Sequence, residues 1–253
     1  MKSFNVMIPK VIHYCWFGKG PLPSSARKCI DSWIKYFPDY EIKQWNEDNF
    51  EIDKFDYTKE AYAAKKYAFV SDFVRFWVLY NYGGLYFDTD VEVVKDFADI
   101  LQNGPFMGFE LNPINESNKR MRINPGLGIG VTPKHTFYKD LLDLYEGMHW
   151  VSYAESEGVM PTVVDYTTDL FIKKGIKEKN GIQCVEGIYV YPEEYFCPIS
   201  INSGKLVIND ETHSIHWFDQ SWQSPLRKYG RKILIKVGGT KLKNIMKMVL
   251  RLK

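Results

Sequence analysis

An α/β fold, with helices packed against a sheet, is predicted by three features of this 253-residue chain. The opening segments alternate strand, helix and strand at close spacing. A long apolar helix is cut off by a glycine pair and followed at once by a short apolar strand. Short strands and helices then keep alternating, with no internal repeat or low-complexity stretch, to about Pro225.

Residues 10–17 (KVIHYCWF) are apolar and aromatic enough for a buried first strand, and the turn residues of 18–23 close it. Ser24 or Ser25 can cap a helix to about Phe37, because Ala26, Ile30, Trp33, Ile34 and Phe37 recur at helical spacing. Pro38-Asp39 breaks it, and residues 40–45 alternate as a second strand. One helix is expected over residues 59–82, with its second half, 67–80, apolar on nearly every side and therefore buried. Gly83-Gly84 stops it, and a short strand at 85–87 delivers Asp88-Thr89-Asp90 at its end. Further strands are predicted at 106–109, 126–131, 189–190, 206–208 and 214–218, and helices at 137–145 and 168–174.

Composition sets the class. Hydrophobic residues at 45% and charged residues at 25% describe an ordinary globular protein of one large domain, with room for a small appendage. Aromatics at 16% suit a large core and also surfaces that stack on bases or sugar rings. Cys15, Cys29, Cys184 and Cys197 form no CxxC pair and no zinc-ligand spacing, which fits reduced thiols in a cytoplasmic protein. Residues 1–8 are too short and polar for a secretory signal, and no apolar run approaches the roughly 20 residues of a membrane span. Of the 33 basic residues, ten fall in 227–253, where there is no acid; residues 1–226 carry the other 23 against 31 acids, a net of −8. The expected division is therefore an acidic globular body, 1–226, and a basic tail, 227–253. Leu242, Ile245, Met246, Val249 and Leu252 follow helical spacing on one side of that tail, opposite Lys243, Asn244, Lys247 and Arg251. Such a basic amphipathic helix can lie on an anionic membrane surface or pack on the domain with its charges solvated.

Four groups of residues carry chemistry. Asp88 and Asp90, one residue apart at a strand end, can both approach one hard cation, and manganese or magnesium would take substrate phosphates into its remaining positions. An isolated DxD is more often an exposed turn than a site; the buried helix, glycine pair and apolar strand before this one favour a site. An EF-hand loop is excluded because its sixth position, Val93, is not glycine. A phosphatase with Asp88 as nucleophile stays open as an alternative, as does a non-catalytic carbohydrate-binding module. Asp72 and Arg75 share one face of an apolar helix, where they form either a private salt bridge or a sugar and diphosphate contact. His13, Tyr14 and Trp16 lie at the end of the first strand, where open α/β sheets bind ligands; core packing is expected for one of Tyr14 and Trp16 but not both. His216, Asp219, Ser221 and Trp222 cluster near the end of the α/β region.

The stretches IPKVIHYCWFG, PDYEIKQWNEDNF, AYAAKKYAFVSDFVRFWVLYNYGGLYFDTDVEVV, EEYFCPISI and HSIHWFDQSW together resemble glycosyltransferase family 32, whose members carry a DXD sugar-binding region. The chain is also similar to the glucosylating domains of large clostridial toxins. The resemblance spans residues 8–222 and implies a GT-A fold, a Rossmann-like mixed sheet flanked by helices. It implies a retaining, metal-dependent transfer of a hexose from a nucleotide diphosphate sugar, a UDP-sugar first, to a glycan or lipid-linked saccharide in capsular or other surface-glycan synthesis. By that resemblance Tyr14 and Trp16 would meet the donor base, and Asp72 and Arg75 the donor sugar. Asp88 would join donor and metal, Asp90 and His216 would complete the metal site, and Ser221 and Trp222 would touch the diphosphate. The region MPTVVDYTTDL lacks the Thr-Gly-Pro stretch of many members; there Asp165, Thr168 and Asp169 are expected only to line the pocket. No nucleic-acid partner is implied, and the location implied is cytoplasmic, at the inner face of the cell membrane.

Overall fold

The computed structural model describes residues 7–115, 117–150, 161–200 and 203–219. Strand β1 (Val11–Cys15), helix α1 (Ser24–Tyr36) and strand β2 (Glu41–Trp45) make a parallel crossover. A 3-10 turn (Ile52–Lys54) and helices α2 (Asp56–Ala63) and α3 (Tyr67–Tyr82) lead to β3 (Gly84–Tyr86), which pairs in parallel with the other side of β1. The chain continues through β4 (Val91–Val93), α4 (Ala98–Asn103), β5 (Phe106–Leu111), β6 (Arg122–Ile123), β7 (Ile129–Val131), α5 (Thr136–Tyr145) and α6 (Val163–Lys173). It ends, among the described residues, with β8 (Gln183–Val185), β9 (Ile188–Tyr191), α7 (Glu193–Phe196) and β10 (Ser214–His216). The strands form a mixed sheet in the order β2-β1-β3-β7-β5-β9-β8, with β6 paired to β5, while β4 and β10 form a separate antiparallel pair. This is the mixed α/β architecture that the sequence predicts. No helix among the described residues is long and apolar enough to cross a membrane.

The two-residue period of the strands divides the core. Ile12, Tyr14, Leu85 and Phe87 point to one face and pack under α1 with Trp33 and Phe37. Cys15 and Tyr86 point to the other and pack with α3, α5 and α6. Helix α3 buries Val70, Phe73, Val74, Phe76, Val78 and Leu79, each worth roughly 1.5–3 kcal/mol of transfer free energy. Period two also decides where the chemistry lies: Asp88, two residues after Tyr86, falls on the face that α3 covers.

The expected single helix over 59–82 is two helices. Lys65 adopts φ +58, Lys66 N–H donates to Ala61 O (2.8 Å) and Lys65 N–H to Tyr62 O (2.8 Å), a Schellman stop. Glycine usually marks that position; a lysine there hides the break. Helix α6 begins at Val163 rather than 168, set by a capping box of Thr162 and Asp165 in which an aspartate stands for the usual Glu or Gln. Residues 206–208 are exposed and, among the described residues, are joined to the fold by an isolated bridge from Leu206 to Ile199 rather than by a strand. Short elements α4, β6, β8 and α7 have too few residues to show a period and are absent from the prediction. The tail, 227–253, and with it the amphipathic helix, lies outside the described residues.

Candidate active site

Strand order 2-1-3 makes a switch point at β1, and the crevice beyond the carboxyl ends of β1 and β3 is where such sheets bind ligands. Trp16 stands at the end of β1 and Asp88 at the end of β3. Gly83 and Gly84, both at positive φ, let the chain turn from α3 into β3; a Cβ on Gly84 would overlap Val11.

Arg75, 3% exposed, sits at the centre of the charge network. Its guanidinium donates to Asp72 Oδ1 at 2.6 Å and lies 3.2 Å from Asp88 Oδ1, with the Tyr86 ring 5.1 Å from its Cζ. The bond to Asp72 is therefore not private, because the same cation ties α3 to the acidic triplet. Tyr86 donates its hydroxyl to Asp88 Oδ1 (3.1 Å). Burial pushes the Asp72 carboxyl up to about 7, against the pull of Arg75 and with the push of the Asp88 charge. Burial likewise raises Asp88, again against Arg75.

Asp90 faces a different set of partners. His216 Nε2 lies 3.2 Å from Asp90 Oδ1, the Asp219 N–H donates to Asp90 Oδ2 (2.8 Å), and Trp217 N–H donates to Asp90 O (2.9 Å). Burial works to raise the Asp90 carboxyl, but the His216 charge and hydrogen bond and the Asp219 N–H outweigh it and hold it below the usual range. For His216, burial works to lower the imidazole, and the Asp90 carboxylate prevails and raises it. One donor atom each from Asp88, Asp90 and His216 lies within 4.8 Å of the others. The His216 Nδ1 is buried without a hydrogen-bond partner among the described residues. Two carboxylates and an imidazole with spare valence fit a divalent cation such as manganese, with open positions for further oxygens.

Other expected residues divide. Trp16 is half-buried at the crevice, its indole N–H donating to Gly20 O (2.6 Å) across the turn. Tyr14 departs from the donor-contact expectation: it is 7% exposed, donates to Gln44 Oε1 (2.9 Å) and packs edge-on against Trp33 under α1, on the sheet face opposite Asp72 and Arg75. The reason is that it shares a face of β1 with Ile12, two residues before it. Tyr14 is a buried member of the core beneath α1, and Trp16, half-buried, packs against the edge of the same cluster. Ser221 and Trp222 lie outside the described residues. Asp165, Thr168 and Asp169 lie on α6, with Thr168 Oγ1 accepting from Ile123 N–H (2.9 Å).

The structure adds residues that the sequence reading passes over. Asn124 Oδ1 accepts from Gly126 N–H (2.7 Å), and a Cβ on Gly126 would overlap Asp88 Oδ2. The Asn-Pro-Gly turn at 124–126 thus makes room for the first acid of the triplet; its turn chemistry is legible in sequence, its position beside Asp88 is not.

Residues 23–107 match the family model described as a glycosyltransferase sugar-binding region containing a DXD motif. The chain is 27% identical over 158 residues to inositol phosphoceramide mannosyltransferase 2 of Schizosaccharomyces pombe, covering 60% of this chain and 43% of the relative. It is 33% identical over 106 residues to an uncharacterised glycosyltransferase of Acanthamoeba polyphaga mimivirus, covering 40% and 42%. The chain spans less than half the length of these curated relatives. Among solved structures it is similar to a glycosyltransferase involved in glycosylation of the major capsid of PBCV-1, with a TM-score of 0.48 and 13% identity over 84% of this chain and 95% of that one.

Proposed function

We propose, for a chain that carries the DXD-bearing glycosyltransferase sugar-binding region, that it transfers a hexose from a nucleoside diphosphate sugar to a saccharide hydroxyl with a divalent cation bound. The observation that supports this most is the convergence of Asp88, Asp90 and His216 at the carboxyl end of β3, with Arg75 bridging Asp72 and Asp88. Asp88, Asp90 and His216 would hold manganese or magnesium. When bound, the cation neutralises charge that develops on the diphosphate as the sugar leaves.

The chain's own residues supply the rest. Burial works to strip the Arg75 proton, but Asp88 and its other neighbours hold it on, so Arg75 remains a fixed cation beside the donor. Asp72 and Arg75 would orient the sugar hydroxyls, and Trp16 would meet the base. None of the acids is free to attack carbon: Asp72 and Asp88 are tied to Arg75, and Asp90 to His216 and the Asp219 N–H. This favours a front-face retaining reaction. The bond from the anomeric carbon to the diphosphate breaks, the acceptor oxygen bonds to the same face, and the hydroxyl proton goes to the departing diphosphate oxygen. Trapping a covalent sugar on an enzyme carboxylate would overturn it.

UDP-hexoses are the first donors to test, with GDP-hexoses beside them, and similarity to a mannosyltransferase puts mannose among the sugars. Surface glycan synthesis on a lipid-linked acceptor would fit the basic tail 227–253, where each Lys or Arg near an anionic leaflet contributes about 1 kcal/mol. Deleting the tail should release the chain from vesicles containing phosphatidylserine; unchanged sedimentation would remove the membrane from the picture. The main test is manganese-dependent hydrolysis of UDP- and GDP-hexoses by the wild-type chain. It should stop in Asp88→Ala and Asp90→Ala; release of phosphate from simple esters instead would point to the phosphatase chemistry.

A further inference from the structure

Two shallow cavities flank the segment 119–121, one of about 190 Å³ and one of about 320 Å³. Arg122, Asp165 and Thr168 line the first, between β6 and α6; Ile114, Asn118 and Glu178 line the second. Both share Lys119, Arg120 and Met121, so they lie side by side, and the two together are called the groove. Neither contains Asp72, Arg75, Asp88, Asp90 or His216.

The floor of the first cavity, strand β6, continues along the chain to the reaction site. From Arg122 the chain passes through Ile123 and Asn124 to Gly126, whose Cα abuts the Asp88 carboxylate. Four residues reach at most about 14 Å. Helix α6 is fastened to this floor by the Ile123 N–H to Thr168 Oγ1 bond. On the neighbouring strand the register shifts between Phe109 and Leu111, and Glu110 from that irregularity accepts from Arg122 Nε at 2.9 Å.

The charges of the groove oppose one another. Arg122 also lies 3.7 Å from Asp165, and Arg120 pairs with Asp169. Acids beside every guanidinium make a poor bed for a free phosphate or a nucleic acid. Ile114, at 63% exposed, is the large exposed apolar side chain of the groove, too little for a lipid chain. Adjacent donors and acceptors match the vicinal hydroxyls of a sugar, and an isolated apolar side chain matches the C–H face of a ring.

We propose that the acceptor is a saccharide of more than one residue, whose reactive end lies beside Arg122 and Thr168 and whose body runs past Arg120 to Ile114 and Glu178. This rests on the glycosyl-transfer reading above and deepens it by placing the acceptor and setting its class.

The test is retention on a printed glycan array, with UDP, GDP and Mn²⁺ present, by wild-type, Arg120→Ala, Glu178→Gln and Ile114→Asp chains. Hydrolysis of UDP- and GDP-hexoses by the wild-type chain is measured alongside. The wild type should retain a subset of glycans, disaccharides and longer above their monosaccharides, and each variant should lose at least about tenfold of that retention, the scale of one charge-assisted hydrogen bond. All three positions are exposed, so melting temperatures should match the wild type and separate lost binding from lost folding. Retention by the variants at the wild-type level overturns the groove. So does a wild-type chain that hydrolyses donor and retains no glycan, which leaves the transferase reading standing. Retention without hydrolysis of any donor overturns the transferase reading instead.

Discussion

Two buried histidines, His13 and His216, show how this molecule separates support from chemistry. His13, 1% exposed, has both ring nitrogens engaged: Trp45 Nε1–H donates to Nδ1 (3.0 Å), and Nε2 lies 3.0 Å from Gly83 O. A carbonyl only accepts, so the proton sits on Nε2 and the ring is neutral. Burial lowers His13 to about 4. His216 is buried as well, yet its Nδ1 has no partner among the described residues and its Nε2 faces a carboxylate, which raises it. A polar group whose valences are all used by the fold is a strut. One with a valence left over beside two acids is available to a ligand.

Four measurements can break or sharpen that contrast. The largest effect is expected at the acid that His216 faces: Asp90→Ala should lower manganese-dependent donor hydrolysis per folded molecule by about a thousandfold. If activity survives, the cluster is not the site. Next, His13→Leu should cost about 3 kcal/mol of stability in urea unfolding, because it strands the Trp45 N–H and the Gly83 carbonyl, while donor KM of the folded fraction stays within about twofold. A loss of activity without a loss of stability would move His13 into the site.

Acid should act through His13 in a defined window. Between pH 6.5 and about 4 the unfolded chain takes up a proton that the folded one refuses, so stability falls as pH falls, by about 3 kcal/mol across that range. Above pH 6.5 this group contributes no further change. Urea midpoints across pH should follow that slope, and the slope should flatten in His13→Gln. His216 has the opposite sign: its raised pKa contributes stability that is lost as pH rises through it. The smallest effect is in metal affinity: His216→Ala should weaken manganese binding by at least about ten- to a hundredfold by titration calorimetry, the range seen when a residue that merely orients a metal ligand is lost. A variant that binds manganese as tightly as the wild type would return His216 to the struts.

The same contrast shows how far local pattern reading reached. The burial of α3, the glycine stop and the acidic triplet at a strand end are all short-range, and each was legible. The break at Lys65 was not, because the signal that usually marks it is a glycine. Residues 206–208 look like a strand because Leu, Val and Ile favour one, yet among the described residues they make an isolated bridge at Leu206 and no ladder. Tyr14 and Trp16 look alike in sequence; Tyr14 lies within β1 under α1, whereas Trp16 falls just beyond the strand's end.

By itself, the amino-acid sequence determined the α/β class, the placement of Asp88 and Asp90 at a strand end, the shared helix face of Asp72 and Arg75, and the presence of a histidine motif far downstream. These depend on periods of 2 and 3.6 residues and on turn chemistry within a few positions. Only the tertiary structure decided that Arg75 would reach Asp88, 13 residues away, and that the backbone of Asp219 would close on Asp90, 129 residues away. It alone set His216 beside Asp90, through the antiparallel pairing of β10 with β4, and Gly126 beneath Asp88. Such contacts arise when separate elements are packed against one sheet, and no spacing along the chain records which of them will meet.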